Sequence, residues 1–368
     1  MPRWYLSVNS ATSWIEADRL TGIELSLLRK LMAKAPSDAI NLALGELGFP
    51  FPQELALHAT SLLRDANPRY TPNAGIFELR QRIARDYAAD ASNICVCNGA
   101  EEALYIALQA IVNPNDIVAI PDPDYPAYPT LARLAGAEVR RLPFEPGFSS
   151  IDWKVWAEQL KGVKVLLMSS PANPTGYTLN REDSAHLGRI LRQTGTILIL
   201  DEIYQKVYCQ EPEAADYSQF PRLIRINGLS KSHLMSGWRI GWINAHSAFI
   251  ESATKLKQYI STCPAWLSQM LALYALDCPQ IPSQIQSNLL QNQAILSHHL
   301  KDHQLHLPSA SPYAMLFCTS AVQQAEKWMN KGVLTVPGIA FGAGSDSWIR
   351  INYAVEQATL NQALERLL

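Results

Sequence analysis

An α/β fold is what this sequence predicts: a mostly parallel sheet covered by helices on both faces, with a smaller α+β unit attached. Three observations carry that prediction. From about residue 75 onward, short β-branched runs alternate with longer helical patterns, as in strands joined by crossover helices. The strand-like runs are mostly continuous apolar stretches rather than strictly alternating ones, as expected where both faces of a sheet are covered. The 368 residues are 48% hydrophobic and only 17% charged, which supplies a large core and argues against disorder.

Residues 94–97, 117–120, 163–168, 196–200 and 223–226 read as buried strands, and 75–89, 100–112, 125–135, 181–193 and 248–260 as helices. Pro279 and Pro282 precede a polar helix at about 283–300 that opens the smaller unit. Strand-like 313–318, a helix at 321–329 and strand-like 348–353 continue it. The helical stretch 24–34 joins the same unit, so the expected division is 46–275 against 1–45 with 276–368.

Several classes are excluded. A net charge of -2 gives no electrostatic reason to bind nucleic acid or an anionic membrane surface. The longest apolar runs, at 163–168 and 197–200, are too short to span a bilayer. The opening residues Met1 to Tyr5 lack the apolar stretch of a secretory signal. Cys95, Cys97, Cys209, Cys263, Cys278 and Cys318 form no CxxC pair and read as reduced thiols of a cytoplasmic protein. His298, His299, His303 and His306 cluster near a helix end. Without cysteines or carboxylates around them they read as a solvated face, and no metal is expected. Walker A, GxSxG and HExxH motifs are absent.

In parallel α/β sheets, ligands sit beyond the carboxyl ends of strands, and the chemistry-bearing segments follow predicted strands. The run Cys95-Val96-Cys97 ends in Asn98-Gly99-Ala100 and then a helix, leaving free N–H groups for an anion. Arg239, Ser230 and the Tyr70 hydroxyl could complete a phosphate clamp. Asp201 ends an apolar run, where a carboxylate needs a cation or several donors. A protonated pyridine nitrogen is such a cation, and Tyr204 and Asn173 could reach the phenolic oxygen of the same ring. Tyr125, in a proline-rich strand-end loop, could give that ring a flat platform.

Lys231 follows the 223–226 strand in a serine- and glycine-rich stretch, with Arg239 eight residues on. A desolvated, cationic setting lowers a lysine's pKa and makes it nucleophilic, fit to form an imine with an aldehyde cofactor. Arg350, inside an apolar strand, needs an anion, and an α-carboxylate would suit its fork of donors. Tyr5, Trp14 and Tyr128 are aromatics that could line a side-chain pocket.

Taken together, these segments resemble the class I and II aminotransferases, pyridoxal-phosphate enzymes of fold type I, from about Asn41 to Ala354. The resemblance implies a large domain built on a mostly parallel seven-stranded sheet, plus the smaller domain. It implies pyridoxal 5'-phosphate as cofactor, with Lys231 as the Schiff-base lysine and Asp201 on the pyridine nitrogen. Asn173 and Tyr204 fall to the phenolic oxygen and Tyr125 to stacking. Gly99, Ala100, Ser230 and Arg239 fall to the phosphate. Arg350 and the Gly45 backbone fall to the substrate carboxylate, with Asn173 beside them. Tyr70 resembles the tyrosine that reaches the neighbouring subunit's phosphate, which implies a homodimer with shared sites. The substrates implied are an amino acid and a 2-oxo acid.

Three departures stand out. Gly228 takes the place of a serine common in the family, the segment Gly45-Glu46-Leu47 lacks a usual proline, and no residue stands out as the second arginine of dicarboxylate-specific members. Elimination, replacement, cyclisation or decarboxylation on the same fold is the alternative reading. A transcription regulator with an aminotransferase-like domain is disfavoured, because the segment ahead of Asn41 is too short and too weakly basic to bind DNA.

Overall fold

The computed structural model describes residues 17–64, 66 and 68–367, so Tyr5 and Trp14 lie outside the described residues. Seven strands make the central sheet: β1 (Ile94–Cys97), β2 (Ile117–Asp122), β3 (Glu138–Pro143), β4 (Val165–Ser169), β5 (Ile197–Asp201), β6 (Leu223–Gly228) and β7 (Gly241–Asn244). Their order across the sheet is β1-β7-β6-β5-β4-β2-β3. Only β7 runs antiparallel, against β1 and β6; the remaining pairs are parallel. The expected α/β architecture is therefore present. β1 and β4 are buried along their whole length, because helices cover both faces as the unbroken apolar runs require.

Helices Ala100–Ile111, Ala127–Leu134 and Ser247–Ile260 seal one face around Leu104, Ile120, Ile199 and Ile250. Helices Trp153–Gln159 and Arg181–Thr194 seal the other around Trp156, Leu166, Leu187 and Leu198. A second, antiparallel sheet holds Val336–Pro337, Trp348–Asn352, Tyr313–Phe317 and Leu305–His306 in that order. Ile40–Asn41 pairs in parallel with Val333–Leu334, which ties the early segment to the late one.

Two strands of the central sheet escape sequence reading. β3 is a half-buried sheet edge carrying Glu138, Arg140 and Arg141, and charge on an edge strand masks its pattern. β7 is four residues long and begins at a glycine. The polar helix begins at Gln280, ahead of the expected start, and runs to His299. Pro282 is accommodated in its first turn because an N–H there would lack an intrahelical partner.

The turn after Val336–Pro337 has no room for a side chain. A Cβ on Gly338 would overlap the Ser345 carbonyl oxygen, while Ser345 Oγ donates to Gly338 O at 2.7 Å. Gly338→Ala should therefore destabilise the protein by roughly 3 kcal/mol. A urea melt would show it, and an unchanged midpoint would mean that the turn opens freely.

Candidate active site

Parallel β2, β4, β5 and β6 end on one edge of the sheet, and register aligns their tips. Ser169 pairs with Asp201, Asp201 with Ile226, and Gly228 with Gly241. The segment crossing this edge from β6 to the start of β7 carries Ser230, Lys231 and Arg239. Strand order departs from chain order at β6-β5-β4-β2, the kind of place where open α/β sheets bind ligands.

At the end of β1, Gly99 caps the helix Ala100–Ile111 with φ at 90°, a left-handed region that favours glycine. A Cβ there would stand 2.6 Å from Arg239 Nη2, so the absent side chain lets the guanidinium lie on the turn. Arg239 Nη1 donates to Ser236 O at 2.9 Å. Ser230 is buried next to Lys231. A helix start with an arginine against it is a seat for an anion. The missing serine at 228 has a steric reason, since a Cβ on Gly228 would lie 2.7 Å from Ile240 O. Tyr125 donates its hydroxyl to Glu101 Oε2 at 3.2 Å and stands edge-on to Tyr128, centroids 5.3 Å apart.

At the tip of β5, Asp201 is 4% exposed. Tyr128 donates its hydroxyl to Oδ2 at 2.8 Å, and Ile203 N donates to Oδ1 at 3.0 Å. Burial raises this carboxyl to about 6, against the pull of those two donors. No lysine or arginine pairs with it among the described residues. A cationic ring nitrogen would fit that gap.

Arg350 is 2% exposed on the strand Trp348–Asn352. Its guanidinium lies 4.2 Å from the Tyr313 ring and 4.6 Å from the Phe341 ring. Nη1 donates to Asn173 Oδ1 at 2.8 Å and Nη2 to Ala43 O, while Nε has no partner. Among the described residues no carboxylate pairs with it, so this buried cation suits a ligand carboxylate. Tyr204 and Tyr313 share a hydroxyl hydrogen bond of 2.5 Å. A Cβ on Gly45 would come within 2.8 Å of the Tyr313 hydroxyl and 3.6 Å of the Tyr204 hydroxyl. Asn352 Nδ2 pins the Gly45 loop through Leu44 O and Glu46 O, each at 2.7 Å. The Glu46 carboxylate accepts from Ser236 Oγ.

Lys231 joins these parts. Burial lowers its amine to about 8; Arg239 and Arg350 push the same way, while Glu46 and Asp201 oppose them. The amine is thus within electrostatic reach of the anion seat, the buried acid and the buried arginine. Among the residues singled out in the sequence, Lys231, Asp201, Asn173, Tyr204, Tyr125, Gly45, Gly99, Ala100, Ser230, Arg239 and Arg350 come to this strand-end edge. Tyr70 does not; its side chain is 88% exposed on the surface of the chain.

Tyr128 corrects an expectation: instead of lining a side-chain pocket it is 1% exposed and bonded to Asp201. Tyr125 lies before the helix that carries Tyr128, so no helical spacing linked the two in the sequence. Tyr313 was also missed, as was Asp124, which accepts from Ser169 Oγ at 2.7 Å. His233 bonds Ser232 Oγ at 2.9 Å, and burial lowers its pKa to about 4. His299 bonds Ile295 O and His306 bonds Thr175 O. No cluster of three or more His, Cys, Asp or Glu suited to a metal occurs among the described residues.

Fold and site together define an α/β protein with a buried arginine, a buried acid and a lysine of lowered pKa gathered at the strand ends of its sheet. Residues 37–367 match the family aminotransferase class I and II. A probable aspartate aminotransferase of Methanocaldococcus jannaschii is 30% identical, with 95% of this chain and 97% of the relative covered. A solved structure of the Thermus thermophilus aspartate aminotransferase with maleate superposes with a TM-score of 0.89 at 27% identity, covering 97% of this chain and 100% of that one. The Pyrococcus horikoshii aromatic aminotransferase superposes with a TM-score of 0.85 at 26% identity, covering 92% and 97%. The chain belongs to aminotransferase class I and II, with the fold type I architecture, and is an aminotransferase.

Proposed function

We propose that this aminotransferase moves an amino group between an amino acid and a 2-oxo acid with pyridoxal 5'-phosphate as its cofactor. Three features fit that group: the Gly99 turn under Arg239, a buried acid without a lysine or arginine partner among the described residues, and a lysine with a lowered pKa that feels both Arg239 and that acid. When bound, the cofactor supplies an aldehyde and an electron-poor ring that stabilises negative charge at the substrate Cα.

The chain's own residues do the rest. Gly99, Ala100, Ser230 and Arg239 would seat the phosphate, and Asp201 would hold the ring nitrogen protonated. Asn173 Oδ1 is taken by Arg350, which leaves its amide nitrogen to donate to the phenolic oxygen alongside the Tyr204 hydroxyl. Tyr125 would stack on the ring. Arg350, supported by the Gly45 loop, would grip the substrate α-carboxylate and fix which Cα bond is labile. Lys231 Nζ would hold the aldehyde and, with its amine free, would take the proton from the substrate Cα and return it to the carbon that had carried the aldehyde, two bonds away across the nitrogen.

The division into a large unit, 46–275, and a small one, 1–45 with 276–368, belongs to the same reading and puts Arg350 and Lys231 on different units. A homodimer is proposed too. Tyr70 is 88%, Tyr259 85% and Phe77 57% exposed on the single chain, and Tyr70 would reach the neighbouring phosphate. Six free cysteines accord with a cytoplasmic setting. Among the described residues no helix is long and apolar enough to cross a membrane.

The observation that carries this reading is Arg350, buried, without a carboxylate among the described residues, and near enough to Lys231 to help lower its amine. The test is a half-reaction. Purified protein mixed with an amino acid alone, aspartate first, should convert its visible absorbance to that of the pyridoxamine form and release one equivalent of oxo acid. Adding a 2-oxo acid should reverse the change. Oxo acid with free ammonia, and no pyridoxamine form, would replace transfer by elimination.

A further inference from the structure

Two carboxylates, Glu101 and Glu102, stand in the first turn of the helix that starts at the Gly99 turn. A helix start favours negative charge, but a carboxylate there competes with any other anion seated on the same N–H groups. Glu101 is tied to the Tyr125 hydroxyl. Glu102 folds back on the chain: Oε2 accepts from Asn98 N at 2.6 Å, and Oε1 accepts from Asn98 Nδ2 at 3.0 Å. Asn98 is the residue between β1 and Gly99, so this carboxylate fixes the entry to the turn.

Behind it lies Lys257, fully buried on the helix Ser247–Ile260. Its Nζ donates to Ser261 Oγ at 2.8 Å and stands 3.6 Å from Glu102 Oε2. No other carboxylate pairs with it among the described residues. Lysines are rarely buried this completely unless paired, and the aminotransferase chemistry above makes no use of this one. Burial alone would raise Glu102; the Asn98 groups, Ser261 and Lys257 bring it below the ordinary carboxylate range instead.

We propose that Lys257 is a positioning residue for the phosphate seat: it cancels the charge of Glu102, so that this carboxylate can hold Asn98 and the Gly99 turn in place without repelling the cofactor phosphate. Arg239, set against the Gly99 turn, attracts the phosphate, while Lys257 removes a repulsion. This rests on the cofactor reading above, and the test separates the two.

The measurement is the affinity of cofactor-free, full-length protein for pyridoxal 5'-phosphate and for pyridoxal, which lacks the phosphate, each by absorbance titration. Lys257→Met should weaken pyridoxal 5'-phosphate binding about tenfold or more and leave pyridoxal within about twofold. Glu102→Gln keeps the side chain's shape, can still accept from Asn98, and removes the repelling charge. It should bind pyridoxal 5'-phosphate at least as tightly as the parent, an effect of opposite sign that a purely structural pair would not give. A folded Lys257→Met protein in which both ligands weaken together, or neither weakens, overturns the proposal. So does a Glu102→Gln protein that loses pyridoxal 5'-phosphate affinity selectively. Should Lys257→Met fail to fold by circular dichroism, Glu102→Gln decides alone. A parent protein that does not prefer pyridoxal 5'-phosphate over pyridoxal sinks the cofactor reading instead.

Discussion

Replacing Lys231 by alanine is expected to lower the rate of amino-group transfer by at least ~10⁴-fold, because one residue would supply both the covalent anchor and the proton shuttle. Single-turnover absorbance with saturating amino donor would measure it, and borohydride should trap the cofactor on Lys231 and on no other lysine. A variant within tenfold of the parent, or trapping elsewhere, removes Lys231 from the role. The same substitution has a signature independent of turnover. Burial lowers this amine from its ordinary 10.5 to about 8. Between those values the unfolded chain holds a proton that the folded chain has released, so stability of the cofactor-free protein should rise with pH across that window. Below about pH 8 both states are protonated, and the cost of burying the charge is fully present. Lys231→Ala should flatten the rise, seen as the difference between the two proteins' urea midpoints from pH 8 to 10.5.

How much of this was legible follows from what kind of signal each part leaves in the chain. β1, β2, β4 and β5 were visible as apolar runs buried along most of their length, as strands covered on both faces are, and β6 from its branched residues although it alternates in burial. β3 was not, because Glu138, Arg140 and Arg141 break its apolar run. Asp201, Asn173, Lys231 and Arg350 were legible because each is a polar residue in or just after an apolar strand, where it needs a partner the local chain does not offer. Tyr128 and Tyr313 were not, because their meaning lies in contacts across 73 and 109 residues of chain, to Asp201 and Tyr204. Nothing near either tyrosine in the sequence announces them. Gly228 shows the opposite case. Its departure from the family was plain in the sequence, but the cause, the Ile240 carbonyl pressed against it, is a property of the β6–β7 pairing.

Asp201→Asn should cost about 10²–10⁴-fold in turnover, since removing one partner of a buried charge pair is worth roughly 3–5 kcal/mol. Stability of the cofactor-free protein should move the other way. Burial holds this carboxyl at about 6 instead of its ordinary 3.8, so between those values the folded chain keeps a proton that the unfolded chain has lost. Stability therefore falls as pH rises from 3.8 to about 6, and at pH 7 the cofactor-free protein bears the full cost of a buried charge. Asparagine removes that charge, so the variant's thermal midpoint without cofactor should exceed the parent's at pH 7 and match it more closely near pH 4. The parent should regain the difference on binding a ligand with a cationic ring, and the variant should not. Tyr128→Phe tests the support beneath: losing a hydroxyl donor to a charged acceptor at 2.8 Å should slow turnover about 10- to 100-fold and raise the Asp201 carboxyl further. An Asp201→Asn enzyme that is slower and also less stable at pH 7 would mean that the carboxylate serves the fold, not the cofactor. One as fast as the parent would leave the buried acid with no part in the chemistry.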